Sequence, residues 1–246
     1  MRVTFVGTGD AFGSGGRYNS CLHLTDARRS WLLDCGASAF LALNRAGIDP
    51  AAISTVLVTH FHGDHFAGLP FLFLDGLYHT PRSQTLTIVG PPGIEARFMA
   101  LMAATFPGYV ERPRPFKLVF REIAPGATLA HDGATVTAFA MVHDDAVGPC
   151  LGYRIAVDGR VIAFSGDTRW TEAIVPLGAG ADLFVCECYA LAGPMHVHLT
   201  YEVLKARLPE IAARRVILTH MSDEMLAAGA EIAEERARDG LVVDLA

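Results

Sequence analysis

A run of metal-binding side chains directly behind an apolar strand sets the first constraint on this chain. Thr55-Val56-Leu57-Val58 reads as a largely apolar strand, and Thr59-His60-Phe61-His62-Gly63-Asp64-His65 follows at once. Three imidazoles and a carboxylate thus fall within six positions. A loop leaving a buried strand can turn alternate side chains toward one point. His60 and His62 then face one cation, and Asp64 and His65 a second beside it. A histidine-rich surface turn is the alternative. It leaves unexplained why the run follows a strand and precedes the apolar residues 66–74.

The chain has 246 residues, enough for one sizeable core; one domain and two fused halves are both plausible on length, and it is read as a single domain over 1–246. Half of the residues are apolar and charge is modest, which is a globular composition and not a disordered one. No apolar run reaches the ~18–20 residues that a membrane span needs. The start, Met1-Arg2-Val3-Thr4-Phe5-Val6-Gly7, reads as a short strand ending at a glycine and not as a signal peptide, so a cytoplasmic location is expected. The five cysteines (Cys21, Cys35, Cys150, Cys186, Cys188) are odd in number and scattered, which suits a reducing compartment. Cys186-x-Cys188 lacks a second pair to complete a metal site and reads as small core residues.

A net charge of −6 argues against broad nucleic-acid binding through charge alone. Acids beside cations distort that sum, so a phosphate-bearing substrate stays open. Arg112, Arg114, Lys117 and Arg121 form the densest basic stretch and are expected to be a solvated rim.

Strands are expected at 2–6, 21–25, 30–33, 53–59, 86–89, 116–123, 135–142, 151–157, 160–164, 181–186 and 216–220. Asp158-Gly159 between two of them is a strong hairpin signal. Helices are expected at 38–46, across 94–105 and from Thr200 to about Leu208, and residues 68–78 are apolar enough to lie buried behind the histidine run. The glycine-rich stretch 7–16 lacks both the Lys-Ser/Thr ending of a P-loop and the Gly-x-Gly-x-x-Gly spacing; it reads as a mobile loop at the lip of a cleft. Val216-Ile217-Leu218-Thr219-His220 echoes Val56-Leu57-Val58-Thr59-His60, a hint of two related strand-and-helix layers.

His60, His143, Asp167 and His220 each follow an apolar strand, and side chains at such ends converge on a common cleft. With His62, Asp64 and His65 they make seven ligand-type residues, as two metals need if one carboxylate bridges them. His60-x-His62-x-Asp64-His65, His143, Ser165-Gly166-Asp167-Thr168 and Leu218-Thr219-His220 together resemble the ligand set of the metallo-β-lactamase superfamily. The resemblance implies an α/β fold, an αβ/βα four-layer sandwich, with a dinuclear centre at the edge of two sheets. It implies that His60, His62 and His143 hold one metal, that Asp64, His65 and His220 hold the other, and that Asp167 bridges. Two divalent ions are implied, zinc first, with manganese or iron also suited to such ligands.

Within that superfamily the chain is most similar to the ribonuclease Z-like phosphodiesterases. Phe5-Val6-Gly7-Thr8-Gly9, Leu33-Asp34-Cys35-Gly36, Gly68-Leu69-Pro70, Gly90-Pro91-Pro92-Gly93, Glu187 and His198-Leu199-Thr200 carry the likeness. Members that mature transfer RNA insert a long arm, commonly between the third histidine and the bridging aspartate, where this chain has only residues 144–166. The implied function is hydrolysis of a phosphodiester by a metal-bridging hydroxide. Asp64 would aim the hydroxide, and His198, paired with Glu187, would protonate the leaving oxygen; His196 is a second choice for that role. A small phosphodiester or nucleotide-type substrate is expected, with RNA less favoured, no membrane partner, and a homodimer by analogy. Thioester or lactone hydrolysis on the same ligands is the first alternative, and a non-catalytic metal-binding module the second.

Overall fold

In the computed structural model, which describes residues 1–245, two seven-stranded sheets lie face to face with helices on both outer sides. The first sheet holds β1 (Arg2–Gly7), β2 (Cys21–Thr25), β3 (Ser30–Leu33), β4 (Thr55–Leu57), β5 (Leu86–Gly90) and β6 (Leu118–Glu122). The second runs β7 (Thr128–His131), β8 (Ala134–Met141), β9 (Cys150–Val157), β10 (Arg160–Phe164), β11 (Leu183–Glu187), β12 (Val216–Thr219) and β13 (Glu235–Arg236). The last strand, β14 (Val242–Asp244), returns to pair with β1 in the first sheet. Helices α1 (Ala39–Arg45), α2 (Gly63–Phe66), α3 (Leu69–Tyr78) and α4 (Ile94–Thr105) belong with the first sheet. Helices α5 (Ile174–Gly178), α6 (Tyr201–Ile211) and α7 (Asp223–Ala227) belong with the second.

The period-two side-chain alternation of strands explains the layering. Val3, Phe5, Leu22, Leu24, Trp31, Leu33 and Leu57 point inward and meet Val136, Tyr153, Ile155, Ile162 and Val185 of the other sheet. Their neighbours Val6, Cys21, Leu32, Val56 and Val58 point outward, against Leu43, Leu72, Phe73 and Phe98 of the helices. Cys186 and Cys188 pack likewise against α5 and α6, as core residues. These three packed interfaces separate four layers, the αβ/βα sandwich that the resemblance implies.

Strand direction fixes where function can sit. β3 to β6 run parallel, as do β10 to β13, and β8 shares the direction of β10 because both are antiparallel to β9. The carboxyl ends of β3, β4, β8, β10, β11 and β12 therefore open at one edge of the sandwich. The sheets are stitched together there. Leu151 N donates to Thr59 O at 3.0 Å, the Tyr153 hydroxyl to Val58 O at 2.7 Å, and His220 N to Thr8 O at 3.1 Å.

Two expectations change. Residues 68–78 are not buried throughout: Leu69, Leu72 and Phe73 face the core, whereas Phe71 and Tyr78 are exposed, because α3 rotates an apolar surface through solvent once per turn. The stretch 7–16 does line a cleft, but its backbone is pinned. Buried Asp10 accepts from Ser14 N at 2.9 Å and from the Ser14 hydroxyl at 2.7 Å, and Asn19 Nδ2 donates to Asp10 O at 2.9 Å. The short strands β7, β13 and β14 lie outside the elements the sequence pattern marks, and α6 runs on to Ile211 with Pro209 inside it.

Candidate metal centre

The Asp34-Cys35-Gly36 turn and the histidine run pack as one unit at the open edge. Cys35 N donates to His65 O at 2.8 Å and Ala37 N to Gly63 O at 3.1 Å. Gly36 is required there, since a Cβ would stand 2.0 Å from Asp64 O. β4 ends at Leu57, and the chain then delivers His60 and His62 before α2 carries Asp64 and His65 on its first turn. His143 follows β8, Asp167 follows β10 and His220 follows β12.

These residues gather in two clusters of ligand atoms. In the first, His62 Nδ1 lies 3.1 Å from His60 Nε2 and 2.9 Å from His143 Nε2. In the second, His220 Nε2 lies 3.1 Å from Asp64 Oδ2, 3.2 Å from Asp167 Oδ2 and 3.4 Å from His65 Nε2. Asp167 Oδ1 is 3.2 Å from His65 Nε2, and its Oδ2 reaches toward the first cluster, 3.9 Å from His143 Nε2. Donors held ~2.0–2.1 Å from a tetrahedral zinc stand about 3.3 Å from one another. The observed separations fit a cation at the centre of each cluster.

The groups behind the ligand atoms fit as well. Thr59 Oγ1 lies 3.0 Å from His60 Nδ1, Asp144 Oδ2 3.2 Å from His62 Nε2, Asp34 Oδ2 2.7 Å from His65 Nδ1, and Val197 O accepts from His143 Nδ1 at 2.7 Å. Each such contact fixes which nitrogen faces the cluster. His220 Nδ1 has no partner among the described residues. His220 also sits at φ +58°, a left-handed conformation that a non-glycine residue adopts at a cost of about 1–3 kcal/mol.

Charge distinguishes the clusters. Burial lowers the pKa of His60 well below its ordinary value, with His65 adding to the effect, and burial lowers that of His143 too, so their lone pairs are free to bind. In the second cluster, burial alone would lower His65, but Asp167, Asp34 and Asp64 hold it well above its usual range. Burial likewise opposes the charge on Asp167, yet His220 and His65 keep its carboxyl well below the ordinary value. A pocket with three carboxylates around two imidazoles is one that positive charge stabilises.

Beside both clusters, His198 Nδ1 lies 3.1 Å from Glu187 Oε1 and 3.9 Å from Asp167 Oδ2. Glu187 also accepts from Leu199 N at 3.2 Å and from Thr168 N, which ties the β10 and His198 loops to β11. Burial would lower the His198 pKa, but the Glu187 carboxylate pushes it up to about 9. Tyr189 stacks on the His198 ring at 4.8 Å, a contact with no signal in the sequence pattern. His196 is exposed and does not line the cleft; Arg112, Arg114, Lys117 and Arg121 also lie off it. The cleft itself holds about 730 Å³.

The chain is 28% identical to a ribonuclease Z of Bacillus licheniformis over 280 residues, covering 90% of this chain and 88% of the relative. Its fold superposes on the short form of human tRNase Z with a TM-score of 0.81 at 26% identity, covering 99% of each chain. Zinc-bound PqqB from Methylobacterium extorquens shares the fold, with a TM-score of 0.79 at 20% identity over the full length of both chains. Fold, clusters and relatives define a metal-dependent phosphodiesterase of the metallo-β-lactamase superfamily, ribonuclease Z-like in kind. More narrowly, residues 1–238 match the family model described as anti-Pycsar protein Apyc1, and the chain belongs to that family.

Proposed function

We propose that one hydrolase domain spanning the chain uses two divalent metal ions, zinc by preference, to cleave a small phosphodiester or nucleotide-type substrate. His60, His62 and His143 would hold one ion, Asp64, His65 and His220 the other, with Asp167 between them. When bound, such a pair acidifies a water into a nucleophile at neutral pH and offsets charge on the phosphoryl oxygens. Asp64 lines the cleft with its carboxylate held well below the ordinary range; burial opposes this, while His65 and His220 more than compensate. It is an acceptor suited to orient the attacking hydroxyl. His198 is the proton donor: with a pKa pushed up to about 9 it is an imidazolium at neutral pH, facing the cleft. Glu187 holds its ring and balances its charge.

The observation that carries this reading is the Glu187–His198 pair at 3.1 Å, opening on the same cleft as both clusters. Attack on a phosphodiester expels an alkoxide that needs a proton, which a fixed imidazolium can donate, whereas a thioester expels a thiolate that leaves without one. Substrate size follows from the cleft, whose volume is in the range of small-molecule sites. Residues 144–166, where an arm would protrude, are spent on a short turn, β9, β10 and the loop after them.

The test is a panel of bis(p-nitrophenyl) phosphate, cyclic nucleotides, a short RNA with a 3′ extension, a thioester and a lactone, assayed with metal content measured on the same preparation. Turnover of the small phosphodiesters above all others is expected. Preferred cleavage of the RNA would overturn the substrate class, and preferred cleavage of the thioester or lactone would overturn the reaction.

A further inference from the structure

Phe12 is 83% exposed, yet it belongs to the lining of the metal cleft. A single exposed aromatic ring is ordinary at a protein surface, but this one forms part of a cleft wall and its backbone is firmly held. Asp10 Oδ1 accepts from Phe12 N at 3.2 Å as well as from Ser14 N, and Gly9 N donates to Tyr18 O at 2.7 Å, so the ring stands on a fixed platform. Ala11, Met195 and Val197 add apolar surface to the same cleft. No lysine or arginine lines it among the described residues. Such a cleft offers charge stabilisation to one phosphate, at the metal clusters, and nothing for a second. What it offers beyond that phosphate is an apolar, aromatic wall.

We infer that Phe12 is a specificity residue that stacks on a planar heteroaromatic ring attached to the single phosphate, as in a mononucleotide. The inference rests on the phosphodiesterase reading and narrows it. Stacking is sequence-tolerant because every base has a π-face, so the ring selects nucleosides over simple alkyl esters without choosing strongly among bases. Its exposure in the free protein is the surface that substrate covers.

The experiment compares the metal-loaded wild type with Phe12→Ala and Phe12→Trp. Calorimetry measures the affinity of AMP against methyl phosphate, which share a phosphate and differ in the ring. The wild type should prefer AMP by about tenfold or more, the Ala variant should lose most of that preference, and the Trp variant should restore it. A preference unchanged in Phe12→Ala overturns the assignment, and so does a changed oligomeric state with the AMP preference retained, since the ring would then serve a second copy. Hydrolysis separates this from the underlying reading. Thymidine 5′-p-nitrophenyl phosphate and methyl p-nitrophenyl phosphate share a leaving group, and the ratio of their kcat/KM values should fall about tenfold in Phe12→Ala. If the wild type cleaves neither while the AMP preference still collapses, the reaction is wrong and the Phe12 role stands. If both are cleaved and the ratio does not move, only the Phe12 role fails.

Discussion

The two ligand clusters are neighbours built on opposite principles. The first, His60, His62 and His143, is all imidazole; His62 is half-buried and is backed by Asp144, an exposed carboxylate. The second, Asp64, His65, Asp167 and His220, is buried, rich in carboxylates and backed by fully buried Asp34. One cluster presents imidazole nitrogens alone, with His62 partly open to solvent. The other presents negative charge in a medium of low dielectric, where a cation is worth most. The second is therefore expected to hold its metal more tightly, and the first to exchange it more readily.

Asp167 joins the clusters, so its removal is the largest blow to this contrast. Asp167→Ala should lower phosphodiester turnover by at least about 10³-fold and reduce bound metal at both positions, as measured by kinetics with elemental analysis. If metal were lost from one cluster alone, they would be independent. Next comes His198→Ala, which should cut kcat by about 10²–10⁴-fold with metal content intact. The pH profile carries the sign: the His198 pKa is raised to about 9, so its proton is present below that pH and activity falls as pH rises through it. In Glu187→Gln the carboxylate that raises the value is gone, and the alkaline limb should move to lower pH. A limb that stays in place would assign it to another group.

Asp34→Asn is expected to weaken the buried cluster selectively, about 10–100-fold in metal affinity, because His65 Nδ1 loses the carboxylate that orients it. The smallest effect falls on the exposed side. The Asp144 side chain is about four-tenths open to solvent at its contact with His62, so Asp144→Asn should weaken the first cluster by less than about tenfold. Competition with a graded chelator reads both. An Asp144 effect larger than that of Asp34 would reverse the proposed order of affinity.

Much of this was legible in the sequence because strands and metal loops follow local rules. The period-two pattern marked β2 and β3 to the residue, and Asp158-Gly159 forms its turn with both residues at positive φ. The seven ligand-type residues all come to one edge, because each follows a strand whose direction the sheet fixes. Other features depend on tertiary context. β13 and β14 are two and three residues long and gain their pairing only from a neighbouring strand. Asp34 was visible as part of a motif, but its contact with His65 spans 31 positions and needs a left-handed turn at φ +60°. Phe12 sits in a glycine-rich stretch whose composition suggests a mobile loop; only the burial of Asp10 shows why the platform is fixed.

The central claim, a phosphodiesterase that needs both clusters filled, is tested most directly by stepwise chelation with metal content and bis(p-nitrophenyl) phosphate turnover followed on one preparation. About two equivalents of metal are expected at the start, with turnover lost as the first equivalent leaves and regained when it is returned. Full turnover with one equivalent or fewer would contradict it.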